Sequence, residues 1–388
     1  MISAKDLTFF LTLLVIGFTP LDAIEIGEGV TLGRYFFILM ALSAIFSNDL
    51  ILKPAPKFFK VLIAFSIWAA ITSLWSFNSE VTIGRVLYLV QYAIIVAVML
   101  KSLDSKKKVR LAMIAWIMGT SYIAYNTAVN FQTLALAQDG LYRVSEFGNP
   151  NENSFMLCYS LLFCYLVDTT KHRIPSICLT AFSVFAIVAN GSRMGIILYL
   201  LAVAGFCVQL WQTKKKIYVL ALIPIIIAGG VYVLEHVPTA TFERIMGISQ
   251  TIESGKFSER ENIWAAAFEA LDKNLLWFFG GSGWGTFADC IKFYLGRRIG
   301  AHNFYLDVVF TTGLIGLSII LYYFKVLFNL IRRTFKANII NYLLLIIPLV
   351  SMMSTNWQSR RWWFLMGAFI YLVYKHHNLK RIADASKN

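Results

Sequence analysis

Residues 83–108 read IGRVLYLVQYAIIVAVMLKSLDSKKK and decide the fold class. The run 83–100 is apolar except for Gln91 and the single charge of Arg85, and its length is close to the roughly 20 residues that cross a bilayer as a helix. The lysines that follow, Lys106 to Lys108, are typical of a cytoplasmic loop. This stretch therefore predicts a membrane-spanning helix that ends at the cytoplasmic surface.

The composition extends this prediction to the whole chain. Of the 388 residues, 58% are hydrophobic and 14% are charged, and the mean hydropathy is +0.65. Soluble domains are about 45–50% apolar and about 25% charged. These values exclude a soluble globular protein, a disordered chain and a coiled coil, and they predict an all-α polytopic membrane protein.

Apolar windows predict about 12 transmembrane helices. The helices should begin near Leu7, Tyr35, Phe58, Ile83, Val109, Asn153, Pro175, Met194, Ile217, Asn303, Ile339 and Trp362. We divide the chain into residues 1–235 with helices 1–9, a long loop over 236–302, and residues 303–388 with helices 10–12 and a cytoplasmic tail.

The basic residues set the expected orientation. Of the excess charge of +14, most falls in clusters that occupy alternate loops, and such clusters mark the cytoplasmic side. The clusters lie at Lys53/Lys57, Lys106–Lys108, Lys171/Arg173, Lys214–Lys216, Arg332/Arg333/Lys336 and Lys375/Lys380/Arg381. Both termini should therefore be cytoplasmic, and the long loop should be extracytoplasmic.

The long loop is expected to carry structure or function, because connections above about 12–15 residues usually do. Ser258–Asn274 has the capping pattern and apolar spacing of a short helix. The glycines of residues 280–285 then predict a turn. Cys290 is the only cysteine predicted to lie in a polar loop, so we expect neither a disulfide framework nor a zinc site.

Four basic residues, Arg143, Arg193, Arg260 and His302, are predicted to lie on the outer face. An arginine at membrane depth, as Arg193 is, normally has a partner or a task. Each residue also has a simpler interpretation. Arg143 could belong to a polar loop, Arg193 could reach lipid headgroups, Arg260 could pair with a neighbouring glutamate, and His302 could be structural.

Together these residues favour a site for a phosphorylated lipid. Arginine donates paired hydrogen bonds to phosphate and keeps its charge when partly desolvated. Several arginines would stabilise a diphosphate as a leaving group, and a histidine nearby could deprotonate an attacking sugar hydroxyl. The outer loops carry no familiar metal-binding motif, so we expect charge stabilisation by arginine and no cofactor.

At these residues the sequence resembles the O-antigen ligase and O-antigen polymerase superfamily. The resemblance rests on the order of weak motifs over most of the chain. They are Arg143 with Gly148–Asn151, Asn190–Arg193, Arg260–Trp264, Gly281–Phe287, His302–Leu306 and Gly313–Gly316.

The resemblance implies an inverting, metal-independent GT-C-like glycosyltransferase in the bacterial inner membrane. Its donor would be an undecaprenyl-diphosphate-linked glycan at the periplasmic face. Arg193 and Arg260 would hold the diphosphate, and His302 would activate the acceptor. Arg143 and Asn303 would join the binding set, and Arg297 or Arg298 could replace Arg260 or contact lipid headgroups.

Two activities fit this resemblance. The Gly148–Asn151 element is more similar to polymerases, which join repeat units, than to ligases, which move the polymer onto lipid A–core. Partners would be membrane lipids and either a chain-length regulator or the lipid A–core acceptor, with no nucleic acid. A transporter of lipid-linked oligosaccharide and a passive scaffold or channel subunit stay as alternatives.

Overall fold

The computed structural model describes residues 3–21, 25–27, 30–129, 150–167, 183–189, 191–212, 260–334, 339–354 and 362–385, and the single positions 224, 227, 231 and 235. In this part of the chain the elements are helices, apart from one hairpin of two short strands. The strands β1 (Glu25–Gly27) and β2 (Val30–Thr31) pair antiparallel. The all-helical prediction is confirmed for the described residues, with this hairpin as an addition.

We number the helices in chain order. The first seven are α1 (Ala4–Phe18), α2 (Leu32–Ser47), α3 (Lys57–Ile71), α4 (Ser79–Ser102), α5 (Lys106–Val129), α6 (Pro150–Val167) and α7 (Arg193–Gln212). The others are α8 (Arg260–Lys273), α9 (Leu275–Gly280), α10 (Phe287–Leu295), α11 (Phe304–Thr334), α12 (Ile339–Ser351) and α13 (Trp362–Ala385). Short 3₁₀ turns cover Thr19–Leu21, Thr72–Trp75 and Met352–Ser354, and residues 183–189 are also helical.

Ten of the twelve predicted span positions fall at or near the start of a described helix, while Pro175 and Ile217 lie outside the described residues. Four described segments are long and apolar enough to cross a membrane. They are Ala4–Leu21, Lys57–Trp75, Ser79–Ser102 and Phe304–Arg332. The total of twelve spans and the GT-C-like arrangement stay predictions.

The bundle has a core of large apolar side chains. Trp116, Tyr159, Phe163 and Phe369 are buried at its centre. The rings of Trp116 and Phe163 are 6.1 Å apart, and those of Phe163 and Phe369 are 4.8 Å apart. These contacts join α5, α6 and α13 into one packed unit.

The predicted helix in the long loop is confirmed over Arg260–Lys273. Asn274 does not extend it, because the Asn274 side chain caps α9 by accepting a hydrogen bond from the Trp277 amide at 3.3 Å. The loop helices form a second core with the start of α11. Its members are Ile263, Ala266, Ala267, Ala270, Leu271, Phe287, Cys290, Ile291, Ala301, Leu306 and Phe310.

Helix α11 is broken at Gly313, where φ is 69° and ψ is −175°. A break leaves carbonyls of the preceding turn without helical partners. The amides of Ser282 and Gly283 donate to the carbonyls of Phe310 and Thr311 at 2.8 and 3.1 Å, and the Trp68 indole donates to Thr312 at 2.8 Å. The glycine turn of residues 280–286 is therefore docked into the broken helix.

Gly313 and Gly296 provide a matched test of this docking, since both have φ of 69°. A Cβ on Gly313 would collide with the backbone of Phe279, whereas a Cβ on Gly296 meets nothing within 4 Å. We expect Gly313→Ala to lower the free energy of unfolding by about 1–3 kcal/mol more than Gly296→Ala does, because at Gly313 the collision adds to the backbone strain that both positions share. Thermal unfolding midpoints in detergent measure this difference, and equal midpoints for the two variants would contradict the docking.

Candidate functional site

Arg193 begins α7 at a tight turn. Gly191 in that turn has φ of 58°, which glycine adopts without cost. The buried Ser192 hydroxyl accepts a hydrogen bond from the Gly195 amide at 3.0 Å and so caps the first turn of α7. Arg193 is half-buried. The turn therefore holds a guanidinium at a helix N-terminus, where the helix dipole does not favour a cation.

Helices α6 and α7 run parallel. A Cβ on Gly195 would collide with Ser154, and the rings of Tyr165 and Phe206 are 5.8 Å apart. The two residues of each contact differ by the same number of positions in the chain, so the helices are parallel and in constant register. The same difference places Glu152 level with Arg193. The first turn of α6 is polar although it is buried; its members are Asn151, Glu152, Asn153 and Ser154.

Arg260 is the first residue of α8 and is half-buried. Trp264 follows one turn later on the same face, about 6 Å along the helix. The Trp264 indole donates a hydrogen bond to the carbonyl of Ala301 at 2.9 Å. Because Ala301 directly precedes His302, this bond brings the start of α8 beside His302.

His302 is held in a left-handed conformation, with φ of 48°. Among the described residues only Asn48 shares a positive φ without being glycine. Such strain persists where the surroundings over-determine it, and it concentrates at functional sites. On one side Ala301 is buried and bonded to Trp264, and on the other Asn303 caps α11. The His302 backbone is thus fixed from both sides.

Helix α12 connects this region to α6 and α7. Gly205 of α7 lies against Leu343, while Tyr159 of α6, which the α6–α7 register places nearer the starts of these helices, donates its hydroxyl to the carbonyl of Leu344. Helix α12 therefore runs back toward the start of α7. Near the end of α12, the carbonyl of Leu349 accepts a hydrogen bond from the Tyr305 hydroxyl at 2.9 Å. The starts of α6, α7 and α11 therefore lie at one end of the bundle, which we call the loop end.

The structure places the predicted site residues as follows. Arg193, Arg260 and His302 lie at the loop end, and the Trp264 bond joins the last two of these regions. Arg143 lies outside the described residues. Arg297 and Arg298 are exposed, and Arg298 forms an ion pair with Asp289.

Asn303 has a structural task that the sequence did not indicate. Its side-chain oxygen accepts a hydrogen bond from the Leu306 amide at 3.2 Å, and its carbonyl accepts one from the Asp307 amide at 3.0 Å. It is therefore the N-cap of α11, and its first effect on any site is through the direction of that helix.

Sequence reasoning missed a second basic group at the loop end. Arg34 donates to the Tyr88 hydroxyl at 3.3 Å, and the guanidinium carbons of Arg34 and Arg85 lie 5.7 and 5.8 Å from the Tyr88 ring centre. Gly285 of the docked turn packs against the Arg85 side chain. The charge clusters predict that Arg34 lies at the extracytoplasmic end of a span, where arginines are unusual, and that signal could have identified it.

Two buried carboxylates were also missed. Glu152 and Asp307 are each 2% exposed and lie in the first turns of α6 and α11. Acidic side chains are almost never fully buried unless they are paired. Their spacing carries no familiar motif, so only the fold shows that they lie at the loop end.

Cys290 lies in the core, which corrects its predicted position in a polar loop. It is 1% exposed on the inner face of α10. Burial raises the pKa of its thiol to about 11, above the ordinary value of 9.0. The thiol is thus neutral near pH 7 and packs as a small apolar side chain.

Comparison with known proteins gives one family. Residues 178–321 match the family model described as O-antigen ligase. The matched segment contains Arg193, Arg260 and His302, and the match confirms the resemblance to the O-antigen ligase and polymerase superfamily. No curated protein gives a significant match to the chain.

Proposed function

We propose, from the premise that this chain carries the O-antigen ligase domain, that it is an inverting, metal-independent glycosyltransferase with GT-C-like architecture. Its donor is a glycan on undecaprenyl diphosphate. The observation that carries the proposal is that Arg193, Arg260 and His302, all inside the family match, lie at one end of the bundle. We place this end at the periplasmic face of the inner membrane, with both termini in the cytoplasm.

Arg193 and Arg260 bind the diphosphate in this proposal. Each begins a helix, so each guanidinium adds its charge to the positive end of a helix dipole. Anions bind favourably at such positions, and a planar guanidinium adds paired hydrogen bonds. As the glycosidic bond breaks, negative charge develops on the leaving diphosphate, and these groups stabilise it.

His302 acts as the general base. It takes the proton from the acceptor hydroxyl while the hydroxyl oxygen attacks the anomeric carbon and the diphosphate leaves from the opposite side. The Trp264–Ala301 bond and the Asn303 cap fix its backbone for this task. In this proposal Asp307, which is buried in the first turn of α11 five residues after His302, balances the charge that the histidine gains.

Further basic residues support the diphosphate and the glycan. Arg85 touches the docked turn at Gly285, and Arg34 shares Tyr88 with it. Arg143 completes the set. Glu152 is level with Arg193 in the α6–α7 register and is placed to orient it.

Within the superfamily we propose a polymerase that joins lipid-linked repeat units, because the segment Gly148–Asn151 is more similar to polymerases. The description of the matching family favours a ligase that transfers the polymer to lipid A–core, and this is the second candidate. Both use the same donor chemistry, so the arginines and the histidine serve either reaction.

Complementation of two deletion strains separates these activities. One strain lacks its polymerase and the other lacks its ligase, and both make the cognate repeat unit. We expect the chain to restore a ladder of glycan lengths in the first strain, read on a lipopolysaccharide gel. Restoration of core-attached glycan in the second strain alone would identify a ligase. Restoration in neither, with the protein in the membrane, would contradict the proposed function.

A further inference from the structure

The loop helices present an apolar surface to the outside of the molecule. Its side chains are Leu74, Phe77, Leu275, Leu276, Phe279 and Phe293, with exposed fractions between 39% and 81%. The Phe77 ring joins the two loop helices here, since it lies 5.2 Å from the ring of Phe293 in α10 and 6.0 Å from that of Trp277 in α9. We call this apolar surface the α9–α10 surface. Contiguous apolar surfaces of this kind are rarely left in water.

The length of α11 sets the depth of this surface in the membrane. The candidate span Phe304–Arg332 has 29 residues, about 43 Å of helix, whereas the hydrocarbon layer is about 30 Å thick. Residues 314–332 alone cover about 28 Å and end at the exposed Arg332. Gly313 therefore lies at the boundary of the hydrocarbon layer, and α9, which packs against Gly313 through Phe279, lies there too.

Helix α3 gives the same depth independently. The span Lys57–Trp75 has 19 residues, about 28 Å, with a lysine at one end and a tryptophan at the other. The Trp75 indole donates to the carbonyl of Gly281, the residue after α9, at 3.0 Å. Leu74, at this level, is 81% exposed. Two spans with different sequences thus place the α9–α10 surface at the same membrane boundary.

The exposed charges on the loop helices are distributed unevenly. The outer side of α8 carries the acidic residues Glu261, Glu269 and Asp272, with Lys273 paired to Glu269. Lys292 lies on α10 beside Phe293, and Arg297 follows directly after that helix; both are exposed. Cations at the edge of an apolar surface match anionic headgroups, whereas the acidic side is suited to water.

We propose that the α9–α10 surface is a lipid-binding surface that rests in the outer boundary of the bilayer. Its apolar side chains contact the part of the acyl chains nearest the headgroups, and Lys292 and Arg297 contact the phosphates of anionic glycerophospholipids. The loop is then a membrane-embedded platform that holds Arg260 and His302 just above the hydrocarbon, at the depth of a lipid headgroup. This surface does not depend on the reaction catalysed.

Spin labels on the full-length protein in vesicles test the proposal. Labels are placed at Leu276→Cys, Phe293→Cys, Glu269→Cys and Ile315→Cys in a background without the five native cysteines. Glu269 lies on the acidic side, and Ile315 is an exposed position of the α11 span. Collision with dissolved oxygen reports lipid, and collision with a water-soluble nickel chelate reports water.

We expect the oxygen-to-nickel accessibility ratios at 276 and 293 to be several-fold higher than at 269 and close to that at 315. Ratios equal to that at 269 would show a water-facing surface and overturn the proposal. Low accessibility to both reagents would show that protein covers the surface, which also overturns it.

A change in the charge of the lipids tests the contacts proposed for Lys292 and Arg297. With phosphatidylglycerol added to phosphatidylcholine vesicles, we expect the label at 293 to move deeper, and less so when Lys292→Gln and Arg297→Gln are present. A depth at 293 that does not change with anionic lipid would overturn the headgroup assignment. A protein that is not a glycosyltransferase would still give the expected ratios, so failure here and failure of the proposed function are distinguishable.

Discussion

Replacing His302 by alanine is expected to lower glycan transfer by about 10²–10⁴-fold, the usual contribution of a general base. The imidazole that accepts the acceptor proton is lost, while the backbone at 302 stays fixed by the Ala301 and Asn303 contacts. The measurement is the glycan length distribution on a lipopolysaccharide gel, at matched protein abundance in the membrane.

His376 is the matched control for this substitution. It is also half-buried, and it lies 3.3 Å from the carbonyl of Leu103, which follows α4 at the end away from the docked turn. We expect His376→Ala to leave the ladder unchanged. A ladder that persists in His302→Ala, or that is lost equally in both variants, would contradict the general-base assignment.

Replacing Arg193 by lysine is expected to lower transfer by about a hundredfold, the effect of removing one preorganised donor to a developing anion. Lysine keeps the charge but loses the planar pair of donors, and its ammonium cannot reproduce the bidentate geometry. Arg193→Ala should be at least as severe. Transfer rates with purified protein measure both effects.

Arg110 is the matched arginine control. It is half-buried and lies near the start of α5, as Arg193 lies at the start of α7. Thr120 contacts Ser160 and Trp116 contacts Phe163, so α5 runs antiparallel to α6 and Arg110 lies at the opposite end of the bundle. We expect Arg110→Lys to keep wild-type transfer. A fully active Arg193→Lys would show that charge alone suffices there.

The sequence predicts where ten described helices begin, because a membrane-crossing helix needs a long apolar run that is visible in the sequence. It does not predict the break in α11. Gly313 and the glycines of residues 280–285 are visible as motifs, yet their pairing depends on contacts made far apart in the chain, such as Ser282 to Phe310. Local sequence patterns predict the helices and turns, but which of them dock together depends on contacts between residues that are distant in the chain.

The candidate site also contains residues that the sequence predicts and residues that only the fold shows. Arg193, Arg260 and His302 could be selected because they are cations predicted to lie on the outer face, where the usual charge distribution leaves few. Arg85 obeys the same rule but lies inside an apolar run, and only its contact with Gly285 shows its place. The prediction that Asn303 binds the ligand stays a prediction, and the structure adds that its side chain caps α11. The sequence does not separate these two roles, because a short polar side chain before a helix can serve either.

The most direct test of the central claim is transfer by the purified protein in vesicles that contain an undecaprenyl-diphosphate-linked oligosaccharide. We expect one undecaprenyl diphosphate to be released for each glycosidic bond formed, and release to be lost in His302→Ala but not in His376→Ala. Movement of the intact lipid-linked oligosaccharide across the bilayer without release would contradict a transferase and identify a transporter.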